Sequence, residues 1–136
     1  MTIQRFEELE IWKNARILCR KVRYLSIESA LAKDFSLKDQ ILRSSGSVMD
    51  NNAEGYERDG IKEFIQFLYI AKGSLGETRS QIYRCFDANH IYEEQQNTLL
   101  NDCMNLSAQI KKIINYLSTS GLPGHKKKAL TILGIL

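Results

Sequence analysis

Residues 61–88 read IKEFIQFLYIAKGSLGETRSQIYRCFDA, and this stretch decides the fold class. Its apolar residues recur every three or four positions, which is the period of one face of an α-helix. The members of this stripe are Phe64, Phe67, Leu68, Ala71, Leu75, Ile82 and Phe86, together with Thr78. Such a helix would extend about 40 Å. Ile65, Tyr69, Ile70 and Tyr83 widen the apolar surface, so we expect the helix to be covered on more than one side, in part by another subunit.

Three further segments carry the helical period, at about 7–29, 36–55 and 93–117. Ser36 is predicted to be the N-cap of the second helix, and Gly55 is predicted to end it, because these residue types favour those positions. Four helices with short connections predict an all-α fold, an antiparallel up-down-up-down four-helix bundle.

The length and composition agree with one such bundle. The chain has 136 residues, 43% of them hydrophobic, and a single proline at Pro123. Proline interrupts helices, so its rarity favours long helices and short connections. We therefore predict that the bundle occupies residues 1–118, and that residues 119–136 form a linker and a C-terminal tail. That tail is either a docking peptide for a partner or neighbouring subunit, or a flexible end.

No residue pattern predicts catalysis, a cofactor or a metal site. A di-metal site in a bundle needs paired Glu-x-x-His motifs, and the two histidines, His90 and His125, do not supply them. His90 is predicted to be a turn residue or a cation at a helix end. The segment Gly73-Ser-Leu-Gly76 lacks the spacing of a phosphate-binding loop and instead predicts a close helix crossing.

Cysteine usage and hydropathy indicate the compartment. Cys19, Cys85 and Cys103 are an odd number without Cys-x-x-Cys spacing, as is typical of reduced thiols in a cytoplasmic protein. Charged residues near the start interrupt any apolar leader, and no apolar run approaches the roughly 20 residues of a membrane span. We expect a cytoplasmic protein that has no membrane partner.

Charge is the most informative surface feature. The net charge is only +3, but five of the 19 cations lie between Glu10 and Glu28, where no acid interrupts them. Such a stripe predicts contacts with phosphates, and the alternative is an ordinary solvated helix face. The candidate nucleic-acid-binding residues are Lys13, Arg16, Arg20, Lys21 and Arg23, with Arg43 and Lys126–Lys128 as weaker candidates.

An acidic cluster follows the second helix, around Gly55 and Tyr56. It consists of Asp50, Glu54, Glu57 and Asp59. It predicts either a cation site or docking patch, or a solvated helix end with ion pairs to Arg58 and Lys62.

Two motifs carry a family resemblance. The segment Asn52-Ala-Glu-Gly-Tyr-Glu-Arg58, followed by Lys62-Glu-Phe and Ala71-Lys-Gly-Ser-Leu-Gly-Glu77, resembles the signature of the 23S ribosomal RNA intervening-sequence proteins. The accessory variability proteins of diversity-generating retroelements are relatives of that family. The segment Phe6-x-x-Leu9-x-x-Trp12-x-x-Ala15 also fits, whereas Gly60 stands where the family usually has a capping serine.

The resemblance implies a four-helix bundle that assembles as a ring-like homopentamer without catalytic residues. In the retroelement relatives the ring binds nucleic acid and a reverse transcriptase. The leading hypothesis is therefore a non-enzymatic, oligomeric nucleic-acid-binding protein, with RNA as the expected ligand, or a ribonucleoprotein accessory protein with a reverse transcriptase as a possible partner. The alternative is a protein–protein interaction scaffold that binds no nucleic acid.

Overall fold

The computed structural model describes residues 3–119, and four α-helices make up most of this part of the chain. They are α1 (Glu10–Glu28), α2 (Phe35–Glu57), α3 (Ile61–Asp87) and α4 (Glu93–Thr119). Short 3-10 segments at Phe6–Glu8 and Ala30–Lys33 precede α1 and α2, and the described residues contain no strand. The predicted all-α fold with four helices is confirmed. The predicted tail lies outside the described residues from residue 120 onward.

The four helices enclose one hydrophobic core. The main contacts join α1 to α2, α2 to α3, α3 to α4, and α4 to α1, so α1 and α3 lie across the bundle from each other. The α1–α4 contact is the least extensive of the four. The largest fully buried side chains come from all four helices and include Leu18 of α1, Tyr56 of α2, Phe64 of α3 and Ile110 of α4.

A buried polar network sets the register of α2 against α3. The Thr78 hydroxyl donates to Ser44 Oγ at 2.8 Å, and Ser44 Oγ donates to Gln81 Oε1 at 2.6 Å. The Ser47 and Ser74 hydroxyls lie 2.9 Å apart. The later partner in α2 meets the earlier partner in α3, so these two helices run in opposite directions. A shift in register would break these contacts between the helices and take from the buried Gln81 side chain its hydrogen bond with Ser44, which is costly in an apolar interior.

The predicted N-cap of α2 is wrong. The helix begins at Phe35, and the Asp34 carboxylate accepts the hydrogen bond from the Leu37 amide at 3.3 Å. The 3-10 segment before α2 ends at Lys33, so the N-cap of α2 falls at Asp34, two residues before the predicted cap at Ser36. His90 explains the choice, because its Nε2 lies 2.8 Å from Asp34 Oδ2 and holds that carboxylate in place. The hydrogen bond from His90 lowers the pKa of Asp34, and the bond from the Leu37 amide adds to this effect.

The prediction for Gly55 is also wrong. Gly55 does not end α2 but is buried inside it, where a Cβ atom would lie 2.6 Å from Phe67 Cβ of α3. The close crossing predicted at Gly73 and Gly76 is not found within residues 3–119, where a Cβ atom at either position would meet nothing within 4 Å. The close approach of two helices therefore occurs at Gly55.

Candidate nucleic-acid interface

Four cations of α1 form one solvent-facing row, which we call the basic row. It consists of Lys13, Arg16, Arg20 and Arg23, all of them exposed. The opposite side of the same helix is buried through Ile11, Ala15, Leu18, Val22 and Leu25. Burial of that apolar face fixes the rotation of α1. The cations must therefore face solvent.

Few carboxylates of the protein neutralise the cations of the basic row. Lys13 Nζ lies 3.5 Å from Glu10 Oε1, and both side chains are about half exposed, so the pair is weak. The Arg16 guanidinium lies 5.7 Å from the centre of the Trp12 ring, a cation–π contact that leaves the charge available. Within residues 3–119, neither Arg20 nor Arg23 has a carboxylate within ion-pair distance.

Lys21 belongs to a different surface from the basic row. Its Nζ lies 2.6 Å from Asp102 Oδ2 of α4, and the two side chains are 42% and 32% exposed. This cation joins α1 to α4. Sequence reasoning grouped it with the row because its partner is 81 residues away in the sequence.

Arg43 lies on the exposed side of α2. Its side chain is 80% exposed, and its Nε is 3.2 Å from Asp39 Oδ2 on the same helix. The structure places it on a helix other than α1, next to its own acidic partner. The remaining candidates, Lys126–Lys128, lie outside the described residues.

One member of the acidic cluster, Glu54, forms an ion pair. Arg58 lies 3.5 Å from Glu54 and 3.7 Å from Glu63, so one of the two predicted cationic partners is found there. No group of three or more metal-ligating side chains occurs among residues 3–119.

The exposed surface of α4 between Asn97 and Gln109 is uncharged. Its exposed residues are Asn97, Thr98, Asn101, Met104, Asn105, Ala108 and Gln109. The α2 neighbour of α1, in contrast, exposes Asp39, Asp50, Glu54 and Glu57. A polyanion on the basic row therefore meets no exposed charge along this stretch of α4. The sequence contained this signal, since Asp102 is the only charged residue between Glu94 and Lys111.

The three thiols have the character of structural cysteines. Cys85 and Cys103 are buried and Cys19 is partly buried, and all three are free. Burial raises the pKa of each thiol, to about 11 for Cys85 and about 12 for Cys103. The thiolate is the nucleophilic form, so these groups are poor nucleophiles at neutral pH. Among the described helices, none is long and apolar enough to cross a membrane.

The fold and this surface define a class: an all-α protein of four helices with a solvent-facing basic row on the first. Residues 7–112 match the model of the 23S rRNA-intervening sequence protein family, and the chain belongs to that family. The predicted resemblance is thereby confirmed, and the link to the retroelement proteins stays a prediction.

A solved structure supports the fold. The crystal structure of a protein of unknown function from the S23 ribosomal protein family of Bacteroides thetaiotaomicron is 24% identical to this chain. The similarity covers 77% of this chain and 95% of the other, with a TM-score of 0.71. A search among curated proteins found no match.

Proposed function

We propose that this protein is a non-enzymatic, self-associating nucleic-acid-binding protein whose ligand is structured RNA. The observation that carries the proposal is the basic row on α1, exposed and, at Arg20 and Arg23, free of carboxylate partners among the described residues. The row spans about 15 Å of helix. Each phosphate that it neutralises releases counterions, which makes the binding depend on salt concentration.

Self-association is the second part of the proposal, and the exposed face of α3 supports it. Tyr69, Ile70 and Tyr83 are each about half exposed, and the open positions Gly73 and Gly76 lie between them. An interior helical glycine costs about 1 kcal/mol relative to alanine. A neighbouring subunit that packs closely on this face would explain why both glycines are there.

The positions of the two surfaces are compatible. Because α1 and α3 lie across the bundle from each other, association through α3 leaves the basic row uncovered. We propose up-down-up-down subunits in a ring-like homopentamer, whose formal charge would be five times +3, or +15. Symmetry repeats the row and raises the local potential toward a polyanion.

Ile70→Asp is expected to convert the oligomer into monomers, because the carboxylate would be desolvated in the apolar contact. Sedimentation velocity of native and variant protein at equal concentrations measures this directly. Ile27→Asp is the matched control, since Ile27 is 63% exposed on α1 and the proposal leaves α1 uncovered. Native protein that sediments as a monomer would contradict self-association, and an Ile70→Asp oligomer of native mass would exclude this face.

Charge reversal at Arg16, Arg20 and Arg23 to glutamate is expected to weaken RNA binding on the order of 100-fold at about 50 mM salt. The slope of log affinity against log salt should fall by about two to three, since three phosphate contacts are lost. Fluorescence anisotropy with a labelled RNA hairpin, titrated at several salt concentrations, provides both quantities.

The matched control reverses the same amount of charge elsewhere, at Lys33, Lys62 and Lys112, all exposed and outside the basic row. It should lose far less affinity than the arginine variant. Equal losses in the two variants would show that only net charge matters. Native protein that fails to bind RNA at low salt would contradict the proposal. That result would favour the alternative of a protein–protein interaction scaffold.

A further inference from the structure

The contact between α1 and α4 opens into a groove near the start of α4. A cavity of about 330 Å³ lies between Tyr24 and Leu25 of α1 and Thr98 and Leu99 of α4. A second cavity of about 420 Å³ shares Tyr24 and Leu25 and continues to Ile91. We call this pair of cavities the α1–α4 groove.

The lining of the α1–α4 groove is apolar inside and acidic at the rim. Leu25 and Leu99 form its floor, and Tyr24 stands at its edge with 62% of its surface exposed. Glu28 and Glu94 contribute the rim. The nearby cation, Lys21, is already paired with Asp102. Such a lining is complementary to a segment that carries both apolar side chains, for the floor, and cations, for the acidic rim.

We propose that residues 126–136 of this chain, KKKALTILGIL, occupy the α1–α4 groove of the same molecule. The segment has three lysines followed by five large apolar residues. The last lysine, Lys128, complements the acidic rim, and the leucines and isoleucines that follow it complement the apolar floor. This inference does not depend on nucleic-acid binding.

The connection is long enough. Twenty residues of α4 separate Leu99 from Thr119, a distance of about 30 Å along the helix. The nine residues 120–128 can span about 30 Å when extended. A chain that runs back along α4 therefore brings the Lys128 backbone to the level of Leu99. Glu94 lies five residues, or about 8 Å, further along α4, and the extended side chains of Lys128 and Glu94 can bridge that gap. The apolar residues after Lys128 then lie in the α1–α4 groove.

Amide hydrogen exchange tests the proposal by comparing the native full-length chain with the double variant Leu130→Asp/Leu133→Asp. The two substitutions place charges where the apolar side chains would contact the α1–α4 groove. We expect peptides covering residues 21–28 and 91–99 to exchange at least several-fold faster in this variant, while peptides from the α2–α3 core stay unchanged. Thr131→Asp introduces a charge in the same segment without removing an apolar side chain, and should have a much smaller effect. Identical exchange in native protein and the double variant would overturn the proposal.

Zero-length cross-linking of lysine to carboxylate distinguishes this molecule's segment from that of a neighbour. In oligomers refolded from an equal mixture of isotope-labelled and unlabelled chains, links from Lys126–Lys128 to Glu28 or Glu94 should join peptides of the same isotope only. Mixed-isotope links would show that a second copy supplies the segment and would overturn the assignment within one molecule. No link to either glutamate would overturn the groove assignment altogether.

Discussion

Phe64→Ala is expected to lower the free energy of unfolding by about 3–5 kcal/mol, the usual cost of emptying a buried phenylalanine site. Phe64 is fully buried, and its ring meets the Tyr56 ring edge to face with 6.2 Å between centroids. The neighbouring helices are held by the polar network and can close the cavity only in part. Urea unfolding monitored by circular dichroism, at one protein concentration, measures the loss.

Phe35→Ala is the matched control for this change. The same side chain is removed, but Phe35 is 72% exposed at the start of α2, and surface substitutions usually change stability by less than about 0.5 kcal/mol. Similar losses at the two positions would contradict the burial of Phe64 in the core.

Gly55→Ala is expected to lower the free energy of unfolding by about 1–3 kcal/mol, although alanine is the better helix former by about 1 kcal/mol. The new Cβ would lie 2.6 Å from Phe67 Cβ and 3.1 Å from Phe64 Cδ1, so α2 and α3 would have to separate. The same urea unfolding experiment provides the measurement.

Gly46→Ala supplies a control on the same helix with the opposite expected sign. Among the described residues, a Cβ at Gly46 meets nothing within 4 Å, so the variant should gain about 0.5–1 kcal/mol from helix propensity alone. A Gly55→Ala variant that is as stable as Gly46→Ala would contradict the close approach at Gly55.

The errors in the sequence-based prediction share one physical cause. Ser36 and Gly55 carry strong local signals for helix ends, but local signals decide an end only when no tertiary contact competes. The side chain of His90 orients Asp34, which becomes the cap. The ring of Phe67 lies against Gly55, whose missing side chain is used for helix packing rather than for a turn.

The sequence predicted the part of the candidate site that depends on spacing within one helix, and missed the part that depends on contacts between helices. Helical spacing places Lys13, Arg16, Arg20 and Arg23 on one side of α1, and burial of the other side makes them exposed. Lys21 has the same charge and a neighbouring position, yet its contact with Asp102 depends on how α4 packs against α1. Spacing along one helix contains no information about that neighbour.

The sequence by itself determined the four helices, the apolar face of each and the basic row, because these follow from the 3.6-residue period. Only the tertiary structure decided which glycine admits a neighbouring helix, which acid caps α2, and which cation is paired with α4. Those outcomes depend on contacts between residues far apart in the chain. An overpacked helix contact costs about 1–3 kcal/mol, which is as large as the preference of a single residue for a helix end.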